Sequence, residues 1–413
     1  MATLPFNSEV ISYIKKWRGN NGRTALVTAS DQVFAQAIAD HLNIFDEVHG
    51  SNGSLNLKGE CKGAFLEERF GKKGFVYMGD ASADLPIWVR AAKAITVNAP
   101  RALQREVEHV SENVEHLTTV TTSFKPYIKA LRPHQWLKNI LVFLPMLAAH
   151  HINVETFLLS LLAFISFSLV ASSVYILNDL LDLAADRVHP RKRHRPFASG
   201  SIPIVRGMWM MTGLILIGAT FAILVGWEFF LVMVGYYLLT SAYSINLKRR
   251  IIIDISVLTV LYTIRILAGG VATTIPISIW LLSFSFFFFL SLAAIKRMAE
   301  LVDNVKLDNF KIIGRGYHTD DLPIISMIAV SAGYLSALVL MLYMNSSIVV
   351  ELYANPNYLW GICAILIYWI TRTVMVSHRG HLHDDPVIYA VKDRISQACF
   401  LIILALIFGG VVL

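Results

Sequence analysis

Apolar residues follow two different patterns along the chain, and the change comes near residue 125. Beyond it lie long apolar runs, clearest at 156–177, 207–226, 229–246, 251–275, 278–295, 322–344, 358–377 and 395–413. Each is close to the ~20 residues that cross a bilayer core as a helix. A shorter run at 139–150 is ambiguous on hydropathy alone. Ahead of residue 120 the alternation is of a soluble kind. Two short apolar segments, TALVT at 24–28 and GFVYM at 74–78, each run into small or acidic residues and then a helical stretch. Strand, polar turn and helix in that order predict an α/β domain, with function at the carboxyl ends of its strands. The expected architecture is an all-α multi-span membrane bundle over 125–413, preceded by a small, incomplete α/β domain over 1–120.

Composition agrees, because 55% hydrophobic and 16% charged residues over 413 positions are too apolar for a soluble globule. Charge placement then orients the bundle. Lys and Arg are dense in 187–206, at 248–250, at Lys296 and Arg297, in 306–315 and in 372–394, and the alternate connections contain none. The positive-inside rule makes the first set cytoplasmic. The charged amino-terminal segment, with no signal peptide ahead of it, reads as cytoplasmic too. Two crossings are then needed before residue 178, giving about nine in all and a carboxyl terminus outside. The formal charge of +7 sits on these loops. Orientation and anionic lipid account for it, so no nucleic-acid partner is implied. Cys61, Cys363 and Cys399 are scattered, which predicts neither a disulfide framework nor a thiolate metal site.

The densest candidate chemistry is NDLLDLAADRVHPRKRHRPFASG at 178–200. On a continuous helix Asp179, Asp182 and Asp186 would stand on one face, with Lys192, Arg193 and Arg195 following. Stacked carboxylates repel, and a divalent cation relieves them; a hard cation held by oxygens usually brings phosphates with it. Asn178 adds a neutral oxygen. Within the fifth long run, Asp254 and Arg265 are charges where insertion costs about 2.5–3.5 kcal/mol. They share a face but lie about 16 Å apart along a helix, so each needs its own partner, a shared polar cavity being the expectation. Tyr243, Lys248, Lys296 and Arg297 close spans on the same side, as phosphate-binding candidates or as interfacial anchors. His383, Asp384 and Asp385 suit either a second acidic site or a turn.

In the amino-terminal part, TALVTASD and MGDASADLPIW resemble the second and fourth motifs of the haloacid dehalogenase (HAD) superfamily of phosphatases, with Lys62 suiting the third. The resemblance assigns Thr28, Ser30, Lys62, Asp80 and Asp84 to an HAD-like remnant. Nothing ahead of Thr24 supplies the nucleophilic aspartate of the first motif, so this domain is expected to be inactive, with a regulatory, structural or vestigial role.

From 125 onward, LRPHQWLKN, the acidic and basic stretch at 178–200 and YSINLKRR together resemble the UbiA superfamily of intramembrane prenyltransferases. HPRKRHRP, IIIDISVLTVLYTIRILAGG, KRMAEL and HDDPVIYAVKD look most like the branch that makes polyprenyl-phosphoryl phosphoribose. The resemblance implies a bacterial inner-membrane transferase that uses Mg2+, phosphoribosyl pyrophosphate and a polyprenyl phosphate. Asn178, Asp179, Asp182 and Asp186 would hold the metal. Lys138, Lys192, Arg193, Arg195, Tyr243, Lys248, Lys296 and Arg297 would bind phosphates, and Asp254 and Arg265 would act within the span. The connection after the sixth span carries Asp303, Asp308, Asp320 and Asp321 without the compact acidic repeat of aromatic prenyltransferases, which favours the phosphoribosyl branch. Transfer from a prenyl diphosphate to an aromatic acceptor is the alternative. A lapsed membrane regulatory or binding protein is the third reading.

Overall fold

The computed structural model describes residues 4–53, 55–118, 124–189, 191–307, 310, 312, 314–346, 349, 353–382 and 385–412. They form two units. The first joins 1–127 with 182–203, and the second joins 128–181 with 204–413.

The first unit is α/β. Its order is α1 (Ser8–Gly19), β1 (Ala25–Asp31), α2 (Gln32–Leu42), β2 (Glu47–Ser51), α3 (Glu60–Phe70), β3 (Val76–Gly79), α4 (Leu85–Arg90), β4 (Lys93–Val97), α5 (Arg101–Val110) and β5 (Val114–Leu117). Both apolar segments predicted as strands are strands. β1 pairs with β2, and β3, β4 and β5 form a second sheet, every pair parallel. Helices return the chain between parallel strands, and Trp88, Leu103 and Val107 of α4 and α5 cover Ala94 of β4.

The second unit is a helical bundle. Its long helices are α6 (Val154–Leu181), α7 (Ile204–Val225), α8 (Trp227–Ile245), α9 (Ile253–Thr273), α10 (Ile279–Lys306), α11 (Leu322–Met344), α12 (Leu359–His378) and α13 (Arg394–Val412). Among the described residues these eight are long and apolar enough to cross a membrane. The shorter run expected as a ninth crossing differs. Residues Pro133–Phe143 are 3-10 helix, followed by a short α-helix over Leu144–Ala148. At ~2.0 and ~1.5 Å per residue the two reach up to ~30 Å, the thickness of a bilayer core, so length alone permits a crossing without a long α-helix.

Packing places α6 and α9 innermost, each with more than half of its apolar stretch buried against the rest of the protein. The 3-10 segment lies against α9 because Gly269 has no side chain: a methyl there would overlap the Val142 carbonyl oxygen. Polar contacts join helices where apolar surface gives no preference over lipid. Ser166 donates to the Gly218 carbonyl of α7 at 2.8 Å, and Ser291 of α10 donates to the Ala329 carbonyl of α11 at 2.7 Å. α10 starts at Ser278, whose hydroxyl accepts the Leu281 N–H at 3.1 Å.

Candidate active site

A cavity of about 570 Å³ opens within the bundle. Helical spacing builds three of its walls. Ala171, Val174, Tyr175 and Asn178 stand on one stripe of α6, Tyr236, Thr240, Tyr243 and Ser244 on α8, and Leu258, Leu261, Tyr262 and Arg265 on α9. Gln135 and Lys138, three apart on the 3-10 segment, supply the fourth wall together with His134 and with Arg132, the left-handed residue that caps the segment. Lys296 of α10, Arg315 of the α10–α11 connection, Asp385, and Ile388 and Lys392 of the short helix Pro386–Lys392 complete it. Among the described residues, six of the lining side chains are Lys or Arg and one is a carboxylate.

The cations are held in different ways. Arg132 pairs with buried Asp179 at 2.6 Å and lies over the Tyr175 ring. Lys138 and Lys296 both donate to Asp385 Oδ2, at 2.6 and 3.2 Å. Burial works against the charge on Asp385, yet the ammonium groups of Lys296 and Lys138 hold its carboxyl well below the usual carboxylate range. Arg265 has no carboxylate among its described partners. Its guanidinium donates to Asn139 Oδ1 at 2.9 Å, to the Tyr236 hydroxyl at 3.0 Å and to the Leu261 carbonyl, and it faces the Tyr236 and Tyr262 rings.

Asp254, expected to share that cavity with Arg265, is fully buried behind the wall. It pairs with Arg297 at 2.6 Å and Arg315 at 3.0 Å, and accepts from the Tyr243 hydroxyl at 2.9 Å. Arg297 also bonds Glu300 and lies over the Tyr317 ring; it does not line the cavity. Asp254 and Arg297, anticipated as groups meeting substrate, therefore meet each other. Arg315 reaches the cavity because its connection docks on the start of α9. The Tyr317 hydroxyl accepts the Ile252 N–H at 3.0 Å, and a methyl on Gly316 would overlap the Arg249 carbonyl. Burial pushes the Tyr317 hydroxyl up to about 12.

The acidic motif is not one helical face. α6 ends at Leu181, Asp182 is a turn residue, and Asp186 belongs to a separate short helix, Leu183–Val188. Arginine relieves the like charges: Asp179 has Arg132, and Asp186 has Arg195 at 2.6 Å. Among the described residues no three His, Cys, Asp or Glu side chains form a ready-made metal cluster. Asn178 Oδ1, on the cavity wall, is buried with no donor among the described residues. Lys192 and Arg193 are exposed on a 3-10 turn, Lys192–His194, of the first unit, and Lys248 sits on the turn Leu247–Arg249 away from the cavity lining. Asp320 and Asp321 form the turn that starts α11, Asp303 stays within α10, and Asp308, His383 and Asp384 lie outside the described residues.

In the first unit Lys62 and Asp84 do meet, 3.8 Å apart, with the Tyr77 hydroxyl bridging them at 3.1 and 2.9 Å. The Asp80 backbone N–H donates to Asp84 at 3.3 Å. Thr28 and Ser30 lie on β1, in the other sheet.

Residues 139–409, about two thirds of the chain, match the model of the UbiA prenyltransferase family. The chain belongs to this family. As a UbiA member it is an integral membrane transferase, and the cavity within its bundle is the candidate active site. It is 36% identical over 401 residues to the uncharacterized protein y4nM of Sinorhizobium fredii, covering 95% of this chain and 77% of that one. It is 42% identical over 187 residues to decaprenyl-phosphate phosphoribosyltransferase of Mycobacterium tuberculosis, covering 42% of this chain and 59% of that one. A UbiA homologue from Archaeoglobus fulgidus, solved bound to DMAPP and Mg2+, shares the fold with a TM-score of 0.52 at 16% identity, over 68% of this chain and 99% of that one.

Sequence reasoning missed several residues that line this UbiA cavity. Arg132 lies within LRPHQWLKN but caps the 3-10 segment in a left-handed conformation, so no helical period groups it with Gln135 and Lys138. Arg315 sits in a basic loop whose charge the positive-inside rule already explains. Tyr236 and Tyr262 carry no signal beyond their places on helix stripes shared with Tyr243 and Arg265.

Proposed function

We propose that this chain transfers a 5-phosphoribosyl group from phosphoribosyl pyrophosphate to a polyprenyl phosphate and releases pyrophosphate. The observation that carries this reading is the cavity's cation excess, six Lys or Arg side chains against one carboxylate among the described residues. A pyrophosphate donor with a further phosphate, meeting a phosphorylated lipid, calls for more cations than a prenyl diphosphate and an aromatic acceptor. The likeness to the mycobacterial enzyme, named for this reaction, supports the same donor.

In the reaction a phosphate oxygen of the lipid attacks the anomeric carbon, the bond from that carbon to pyrophosphate breaks, and its electron pair leaves with pyrophosphate. Lys138, Lys296, Arg132 and Arg315 hold phosphate oxygens, and Arg265 takes an anion at the deep end of the α9 stripe. Magnesium fits the oxygen donors at the end of α6, where Asn178 Oδ1 has no donor among the described residues and Asp179 follows it. The UbiA resemblance, rather than a shared helical face, adds Asp182 and Asp186 to that set, and the UbiA homologue from Archaeoglobus fulgidus was solved with Mg2+. When bound, the ion would supply positive charge to the departing pyrophosphate. Lys and Arg placement puts the Asn178 end of α6 on the cytoplasmic side of a bacterial inner membrane, with the carboxyl terminus outside. The α/β region reads as a non-catalytic HAD-like domain over 1–120. Magnesium-dependent hydrolysis of a phosphate ester, lost on Asp80→Asn, would overturn that.

The test is incubation of the purified chain with magnesium, labelled phosphoribosyl pyrophosphate and polyprenyl phosphate. Label should become lipid-extractable, and Asp182→Asn should abolish the transfer. Label moving from a prenyl diphosphate to a hydroxybenzoate, with none from phosphoribosyl pyrophosphate, would install prenyl transfer instead.

A further inference from the structure

Among the described residues, Asp385 is the one carboxylate on a cavity wall otherwise rich in cations. Its Oδ2 accepts from Lys138 of the 3-10 segment and Lys296 of α10, so the two ammonium nitrogens lie within about 6 Å of each other. That spacing suits two cations gripping one phosphate group. The Tyr262 hydroxyl of α9 approaches the same carboxylate at 3.4 Å, and Oδ1 accepts the Val387 N–H at 3.2 Å, anchoring the carboxylate to the start of its own short helix. Tyr243 of α8, Arg265 of α9 and Lys392 of the short helix line the same cavity. We propose that Asp385 is a positioning residue: it holds Lys138 and Lys296 side by side and keeps both charged, so that together they form a seat for a phosphate or pyrophosphate group of the substrate.

The proposal rests on reading the cavity as a phosphate site, whichever donor it serves. Two ammonium groups this close in a buried wall disfavour each other's charge, and the shared carboxylate removes that conflict. Without it, the pair should hold its two protons less firmly than the native pair does, because burial and a like charge both lower a lysine's affinity for a proton. A carboxylate that merely stiffened the wall would leave no such trace.

The experiment measures binding of inorganic pyrophosphate to the full chain in detergent by calorimetry, from about pH 6 to about pH 9. Pyrophosphate gains negative charge over this range, so each variant is read as a ratio to the native chain at the same pH. Asp385→Asn should bind as well as native at the acid end and fall roughly 10-fold behind it toward the alkaline end, and Asp385→Glu should restore the native profile. The double variant Asp385→Asn, Lys296→Met should bind more weakly throughout but with a flat profile of that ratio, since the like-charge conflict is gone. An Asp385→Asn profile parallel to native would overturn the proposal. If Asp385→Asn fails to fold, a folded double variant with the flat profile supports it, and a double variant that also fails to fold overturns it. Phosphoribosyl transfer by the native chain is scored separately, so loss of that reading leaves this result intact.

Discussion

Asp254 at the start of α9 and Arg265 in its middle are both almost free of solvent, yet they are settled by opposite means. Asp254 is ringed by Arg297, Arg315 and Tyr243. Arg265 is given only neutral oxygens and aromatic faces. Charges buried in a membrane protein are costly, and both are retained. A charge that is neutralised within the protein serves the scaffold, here by locking the α10–α11 connection against α9. A charge left with neutral partners on a cavity wall is available to an anion, the role proposed above for Arg265. One helix thus carries one charge paired within the protein and one that, among the described residues, has only neutral partners.

Removing Asp254 should produce the largest effect. Asp254→Asn leaves Arg297 buried without its carboxylate and should cost about 3–5 kcal/mol in the unfolding free energy measured in detergent. Asp254→Asn with Arg297→Met should recover much of that loss. If the single variant were as stable as native, the contrast between the two charges would collapse. Arg265→Met should do the reverse. Stability should hold or rise, while phosphate-dependent turnover falls roughly 100-fold, about 2.7 kcal/mol. A variant with near-native turnover would return Arg265 to the scaffold.

Gly316→Ala tests the connection that both roles share. The added methyl meets the Arg249 carbonyl, so the loop must shift and carry Arg315 with it. The expected cost is about 1–3 kcal/mol of stability, with a raised KM for the phosphorylated donor. Asp385 is the intermediate case, a carboxylate facing the cavity, and pH gives its smallest and most specific signature. Its carboxyl is held below the usual range. Its contribution to stability is therefore complete above the unfolded value of ~3.9 and is lost only as pH falls toward the lower folded value. Denaturation midpoints should be level between about pH 6 and pH 8 and fall below about pH 4. A decline already at neutrality would mean that Asp385 is not held as an anion.

Much of this was legible in the chain itself. Apolar run length located the eight long helices, because crossing a bilayer imposes a length that no other constraint mimics. Asp254 and Arg265 declared themselves by their cost. Their partners did not, since Arg297, Arg315 and Asn139 come from other elements and no local pattern pairs them. The break at Asp182 was also hidden: spacing of three and four describes a helical face only if the helix continues. Basic loops concealed Arg315 for a different reason, because membrane orientation alone demands Lys and Arg there.

The 3-10 wall at Pro133–Phe143 carries a consequence of its own. With three residues per turn, side chains three apart lie one above another, and Gln135 and Lys138 rise up the cavity like rungs beyond the Arg132 cap. Such a ladder has no tolerance for a change of count. Deleting Leu137 would bring Asn139 to the place of Lys138 and turn the chain beyond it by about a third of a revolution. The amide that steadies Arg265 and the ammonium that meets Asp385 would both be misdirected at one stroke. In this wall spacing is itself a functional property, and substitutions that respect residue type but change length should be the least forgiven.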